Sequence, residues 1–426
     1  DVSIINVSVI DQDGREVPNA DNMIRFTITG NAKIIGVGNG DSSSHEPDKC
    51  SDGTWQRSLF NGKCQLIVQA GAKPDLIHIE AKAENLWAGA TDIVTVSPVS
   101  VATISKDNTY ALKGEAAKSR DVGKILGADI SFLPELEARG ISFSDNGNAK
   151  DAIQILKDHG FNYVRLRIFN DPSRDDGYSP KKGFCDLQHT KDMAKRVKQA
   201  GMKLLLDFHY SDYWADPGKQ YKPAAWKNLS FTDLKKSVYE YTKKVIQELK
   251  DQGTVPDMVQ IGNEINHGMI WPEGSVTHID SLAQLIKAGS AAVKSVDPSV
   301  ALLLHVALGG QNHESVFFLD NMVARGVPFD VIGESYYPKW HGTLADLRDN
   351  LNDLIRRYGK DVVVVEYSQL KEEVNTIVFD LPNGKGKGTF IWEPLNTWES
   401  VFDQNGKSKP LLLVYDEISK KFITPK

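Results

Sequence analysis

Two glutamates stand where buried strands end. Met258-Val-Gln-Ile-Gly-Asn-Glu264 delivers one carboxylate just past an apolar run, and Val362-Val-Val-Val-Glu366 delivers another. An unpaired charge abutting four valines would cost several kcal/mol, so such a group is either paired or put to chemical use. Two carboxylates facing one cleft suit glycosidic hydrolysis. One stays protonated and donates to the leaving oxygen; the other stays ionised and attacks the anomeric carbon. A nearby arginine would keep the nucleophile ionised, because an opposite charge lowers a carboxylate pKa. Arg165 and Arg167 lie at the end of another apolar run and could fill that role. The bland alternative for Glu366 is a structural ion pair with one of them.

The same rule, taking the polar residue that ends each apolar run, gives a wider set. It comprises Asp129, Arg165, Arg167, Asp207, His209, Asn263, His305, Glu334, Tyr336, Trp392 and Glu393. Glu334 and Glu393 rival the two glutamates and read as hydrogen-bonded supports. Trp214, Trp271, Trp340, Trp392 and Trp398 fall in or just after run ends. The C–H faces of sugar rings pack on aromatic faces, and their hydroxyls want polar partners. Trp214 and Trp340, inside polar motifs, are expected to contact substrate; Trp55 and Trp87 are expected to pack or lie at the surface. Asp207, His209, Asn263 and His305 are the expected hydroxyl partners, with His305 more readily a structural histidine. Asp129, Arg165, Tyr336 and Trp392 complete the expected substrate-binding set.

These residues need a frame. From about Lys124 onward eight apolar runs alternate with helical patterns: Gly127–Ser131, Asn162–Ile168, Lys203–Phe208, Met258–Ile261, Ala301–His305, Val331–Ser335, Val362–Val365 and Thr389–Trp392. Near-continuous apolar runs mark strands covered on both faces. Between them Leu234, Val238, Tyr241, Val245, Ile246 and Leu249 follow the helical period, as do Leu282, Leu285, Ile286 and Val293. Eight such strands predict an α/β fold, a (β/α)₈ TIM barrel over 124–426, whose active site sits at the C-terminal strand ends. A doubly wound open sheet would carry a Gly-rich turn after its first strand, and none is present.

The first 98 residues have a different texture. Ile24, Phe26 and Ile28 alternate with Arg25 and Thr27; Cys64, Leu66 and Val68 share one face, as do Ile77, Ile79 and Ala81. Turn signals such as Asp13-Gly14 and Asn61-Gly62 separate the runs. About seven short strands predict an all-β immunoglobulin-like sandwich over 1–98, followed by a linker over 99–123. This half carries no catalytic constellation. Its Cys50 and Cys64, with Cys185, are expected to be free thiols.

Composition bounds the partners. The chain has 426 residues, 41% hydrophobic and 25% charged, with net charge −6. No basic run marks a nucleic-acid interface, and no stretch approaches the 18 or so apolar residues of a membrane span. The chain opens Asp-Val-Ser, without an initiator Met or apolar leader, which reads as a trimmed or mature form. No His pair has the i, i+4 helical spacing of a zinc site.

The motifs together resemble glycoside hydrolase family 53, the endo-β-1,4-galactanases. Those that carry the resemblance are Gly127-Ala-Asp-Ile-Ser131, Asn162-Tyr-Val-Arg-Leu-Arg167, Asp207-Phe-His-Tyr-Ser-Asp212, Trp214-Ala-Asp-Pro217, Gly262-Asn-Glu-Ile265, Ser335-Tyr-Tyr-Pro338 with Trp340-His-Gly342, and Glu366, in family order. The resemblance implies a retaining clan A hydrolase of galactan or type I arabinogalactan, with Glu264 as acid/base and Glu366 as nucleophile. It also implies an extracellular, cell-surface or periplasmic setting. No cofactor or metal is expected, and the protein is expected to be a monomer. Val37-Gly-Asn-Gly-Asp41, Ser44-His-Glu-Pro47 and Phe60-Asn-Gly-Lys-Cys64 resemble the immunoglobulin-like domains appended to family 2 glycoside hydrolases. Two departures stand out: Glu334, where the family usually has a small or apolar residue, and the loop after Glu366. They prompt the alternative of another β-linked glycan; a non-catalytic polysaccharide-binding protein is a further alternative, against which the presence of both Glu264 and Glu366 argues.

Overall fold

The computed structural model describes residues 2–11, 15–50, 53–71, 73, 75–95, 120–397 and 399–424. The chain divides into two compact units, Asp1–Ala102 and Thr103–Lys426. Most of the expected linker, the boundary at residue 98, and Trp398 lie outside the described residues.

Among the described residues of the first unit, seven strands follow the turn signals: β1 (Val2–Ser8), β2 (Met23–Thr29), β3 (Ala32–Gly38), β4 (Trp55–Ser58), β5 (Lys63–Ala70), β6 (Leu76–Lys82) and β7 (Gly89–Val94). They form two antiparallel sheets, ordered β1-β5-β3 and β4-β2-β6-β7. The period-2 pattern places Ile24, Phe26, Leu66, Val68, Ile77 and Ile79 in one core drawn from both sheets. Cys50, Cys64 and Cys185 are all free. Trp87 is exposed and Trp55 packs beside the core.

The second unit is a closed barrel of eight parallel strands: β8 (Ile125–Asp129), β9 (Tyr163–Ile168), β10 (Lys203–Phe208), β11 (Met258–Ile261), β12 (Ala301–Val306), β13 (Val331–Tyr336), β14 (Asp361–Tyr367) and β15 (Gly386–Trp392). Each expected apolar run overlaps one strand. The main helices after the strands are α1 (Ala152–Asp158), α2 (Leu187–Gln199), α3 (Phe231–Asp251), α4 (Ile279–Val296), α5 (Asn312–Ala324), α6 (Leu344–Tyr358), α7 (Lys371–Phe379) and α8 (Val414–Ile418). Their starts are written locally. Asp151, Asp186 and Ser230 cap the first turns of α1, α2 and α3, and Thr343 with Asp346 forms a capping box on α6.

The barrel has two apolar layers. One lies between strands and helices; the other fills the barrel floor with Ile125, Tyr163, Leu205, Met258, Leu303, Val331, Val363 and Phe390. Side chains two or four residues further along share the floor's face of each strand. That parity carries Asp129, Arg165, Arg167, Asp207, Gln260, His305, Ser335 and Trp392 toward the mouth. The apolar floor therefore sets which residues reach the site.

Candidate active site

Arg165, fully buried midway along β9, is the hub of the mouth. Its Nη1 donates to Asp129 Oδ2 at 2.9 Å and to Glu366 Oε2 at 3.1 Å. Its Nη2 donates to Asp207 Oδ2 at 2.9 Å and to Asn263 Oδ1 at 2.8 Å. One guanidinium thus fixes groups from four other strands or strand ends, which a point-charge lysine could not do. Arg167 sits two residues on. It donates to Glu393 Oε1 at 2.5 Å, and its guanidinium carbon lies 4.5 Å from the Phe132 ring centroid and 4.4 Å from that of Trp214. Cation–π contact replaces hydrogen bonds that its remaining nitrogens lack among the described residues.

Glu366 has both oxygens occupied. Tyr337 donates its hydroxyl to Oε1 at 2.8 Å, and Arg165 holds Oε2. Its placement depends on an irregularity: β13 and β14 pair Glu334 with Val364 but Ser335 with Glu366, a one-residue slip. Bulges of this kind re-aim a side chain. Without the slip, the alternation of Val363 and Val365 would turn Glu366 away.

Glu264 is reached differently. Gly262, at φ +87°, turns the chain out of β11, and a Cβ there would come within 2.6 Å of Ile265 Cγ2. Glu264 itself is left-handed at φ 50°, the strained backbone found at functional sites. Its Oε1 accepts from Ser335 Oγ at 2.7 Å. His305 backs that serine, with Nε2 2.8 Å from Ser335 Oγ and Nδ1 accepting from the Glu264 amide at 3.3 Å. Burial, then the Arg165 charge, holds His305 far below the usual histidine range, so it is neutral. Ser335 Oγ thus stands between the His305 ring and Glu264.

These environments split the pair. Burial, then the charge on Glu366, pushes Glu264 up to about 8, against the pull of the Ser335 hydrogen bond. Burial also raises Glu366, but Arg165 and the Tyr337 hydroxyl favour its anion. Glu366 therefore ionises first and Glu264 keeps the proton near neutrality. The two glutamates border one cavity of about 380 Å³ with Asp129, His209, Trp214 and Trp392.

The Glycosyl hydrolase family 53 model matches residues 125–376, more than half of the chain. The chain belongs to glycosyl hydrolase family 53. Residues 1–91 match the model for Glycoside hydrolase family 2 C-terminal domain 5. The chain is 43% identical over 312 residues to an uncharacterized protein of Niallia circulans, covering 63% of this chain and 83% of that protein. It is 40% identical over 245 residues to an endo-beta-1,4-galactanase of Bacillus subtilis, covering 57% of this chain and 56% of the relative. The solved family 53 catalytic domain of Ignisphaera aggregans superposes with a TM-score of 0.66 at 34% identity, over 70% of this chain and 96% of that one.

In this family 53 barrel, Asp129, Arg165, His209, Trp214, Asn263, Trp392 and both glutamates line the same cavity. Asp207 lies behind it, buried and holding Arg165 and His209. One expectation needs correction. Tyr336 does not face the cavity; it is buried in the layer under the helices and donates to the Gly342 carbonyl at 3.1 Å. Trp340 does not border this cavity; it is 58% exposed, 6.1 Å from the ring centroid of Tyr337, which donates to Glu366. Glu334 also points outward, since Gly333 and Ser335 take the inner face of β13. Glu393 is the support expected of it, buried against Arg167 and accepting from the Phe132 amide at 3.0 Å. Ser335, Tyr337, Asp216 and Lys219 were missed. The parity of the apolar floor, Val331 to Gly333 to Ser335 to Tyr337, was the available signal for the first two. Among the described residues no group of three His, Cys, Asp or Glu is placed to hold a metal ion.

Proposed function

We propose that this chain is an endo-acting, retaining hydrolase of β-1,4-galactan, including type I arabinogalactan. The observation that carries the reading is the asymmetry of the two glutamates: one donor on Glu264, and a guanidinium plus a phenol on Glu366. Ionised Glu366 attacks the anomeric carbon while Glu264 gives its proton to the leaving oxygen. A covalent glycosyl-enzyme forms. Glu264, now ionised, takes a proton from water, which releases the sugar with its configuration retained. Trp214 and Trp392 offer ring faces to the sugar, and His209 and Asn263 offer polar atoms. The galactanase name of the Bacillus subtilis relative supports the substrate class.

Glu334 no longer argues for another glycan, because it does not reach the cleft. A polymer substrate favours an extracellular, cell-surface or periplasmic setting, and no described helix is long and apolar enough to cross a membrane. The reading includes a single-chain enzyme without nucleic-acid partners. A reducing-end assay on de-arabinosylated galactan beside mannan and cellulose tests it. Release from galactan alone is expected. Release from mannan or cellulose instead would reassign the substrate, and binding without release would make the chain a polysaccharide-binding protein.

A further inference from the structure

A left-handed residue such as Glu264, at φ 50°, persists only where the surrounding structure over-determines its backbone. Its amide donates to His305 Nδ1 at 3.3 Å. The carbonyl of the same peptide unit belongs to Asn263 and accepts from Gln220 Nε2 at 2.8 Å. The peptide plane leading into Glu264 is therefore pinned at both edges, by a histidine of β12 and by a glutamine from the loop after β10. Gln220 Nε2 also lies 3.4 Å from the Glu264 carbonyl, so it reaches the following peptide as well.

Gln220 is itself held firmly. It is buried, 1% exposed. The run before it, Asp216-Pro217-Gly218-Lys219, has the residue types of a tight turn, with Asp first and Pro second. Asp216 and Lys219 exchange both backbone hydrogen bonds, at 2.9 and 3.0 Å, and Asp216 Oδ1 accepts from the Gly218 amide at 2.9 Å. Beyond the turn, the Gln220 carbonyl accepts from the Trp271 amide at 2.7 Å. The remaining side-chain proton faces the Asp216 carbonyl at 3.2 Å.

The direction of the amide follows from its neighbours. All three acceptors around Nε2 are carbonyl oxygens, which cannot donate; turned over, the amide would set oxygen against oxygen. Its own Oε1 has no partner among the described residues. Burying an unpaired carbonyl oxygen is unfavourable, and a methionine of similar shape would avoid it. What glutamine adds at this position is the donor. Gln220 does not border the catalytic cavity, so that donor serves the backbone around Glu264 and not the substrate.

We propose that Gln220 is a positioning residue for the acid/base: it fixes the peptide plane before Glu264 and so aims the carboxyl at the leaving oxygen. The inference rests on the reading of Glu264 and of the galactan substrate given above. Glu366 is held by Arg165 and Tyr337 instead. Loss of the Gln220 donor should therefore impair proton transfer and spare nucleophilic attack.

The test compares the full chain with Gln220→Met on galactan and on a dinitrophenyl galactobioside. On galactan, whose leaving group needs a proton, kcat/KM should fall about 10- to 100-fold, the scale on which a misplaced catalytic group costs rate. On the dinitrophenyl substrate kcat/KM reports the first step and should stay within about twofold. Its kcat should fall together with KM, because release of the sugar still needs Glu264 as base, and azide should restore kcat. Equal losses of kcat/KM on both substrates would make Gln220 a structural residue only, and an unchanged kcat/KM on galactan would equally overturn the proposal. If Gln220→Met lacks the near-ultraviolet circular dichroism of the folded chain, Gln220→Asn, one methylene shorter, is read by the same outcomes. If the unaltered chain cleaves the dinitrophenyl galactobioside but not galactan, the substrate reading fails, and phenyl galactobioside, a poor leaving group, replaces galactan in the comparison. If the unaltered chain cleaves none of them, the positioning role falls with the function.

Discussion

At the residue scale, two glutamates differ only in what surrounds them, so their variants should fail differently. Glu366→Ala removes the nucleophile, and turnover should fall to background on every substrate. Glu264→Ala removes proton donation and should cost about 10²- to 10⁴-fold on galactan. With a dinitrophenyl galactobioside the first step should survive and the covalent intermediate should accumulate. Azide needs no general base, so it should rescue Glu264→Ala and yield the β-galactosyl azide; with Glu366→Ala it should yield the α anomer. Product anomers read by NMR check both, and full galactan activity in Glu264→Ala would remove it from the acid/base role. The donors should set the pH limbs of kcat/KM. The Ser335 hydroxyl favours ionised Glu264, so Ser335→Ala raises that pKa and should move the alkaline limb upward. The Tyr337 hydroxyl favours ionised Glu366, so Tyr337→Phe should move the acid limb upward. Each loses a hydrogen bond to a functional carboxyl, worth about 10- to 100-fold in rate. An unchanged pH profile in both would disconnect these hydroxyls from the pair.

At the element scale, β13 shows how one strand serves two layers. Ser335 and Tyr337 face the reaction, whereas Glu334 and Tyr336 face the helices. Tyr336→Phe should therefore leave the pH limbs where they are, in contrast to Tyr337→Phe. Glu334 is a fully buried carboxyl behind the barrel wall. Burial raises its pKa far above the usual range, and Ser315 and Asn350 offset only part of that. The folded state holds it protonated, while the unfolded chain ionises it above about pH 4.3. Its contribution to stability is thus fully present below that pH and is lost as pH rises toward the folded value. Glu334→Gln cannot ionise, so its melting temperature relative to the unaltered protein should climb between pH 5 and pH 9. A difference independent of pH would mean that Glu334 is ionised in the fold.

At the scale of the whole molecule, both candidate glutamates lie in the barrel unit. The sheets of the first unit bury a core of their own. Removing residues 1–98 should leave kcat on the dinitrophenyl galactobioside within about twofold. A folded barrel that loses all turnover would give the first unit a part in the reaction.

Much of this was legible in the chain itself. Apolar runs of four to seven residues alternating with amphipathic helices read as strands covered on both sides, and in a barrel the polar residues at their ends gather at one mouth. Glu264, Glu366, Arg165 and Asp129 were candidates on that ground. Facing was harder to read. Tyr336 and Tyr337 are adjacent and alike in type, and a strand turns neighbours to opposite faces. Only the floor set by Val331 and Gly333, with the one-residue slip that brings Ser335 opposite Glu366, decides which tyrosine meets the nucleophile. The proton balance lay equally beyond the sequence. It depends on His305 and Ser335, 30 residues apart in the chain and 2.8 Å apart in space, and on four strand ends meeting at one guanidinium. Local pattern sets which segments are strands. Barrel closure sets which charges touch, because the distances between them exist only once every strand is in register.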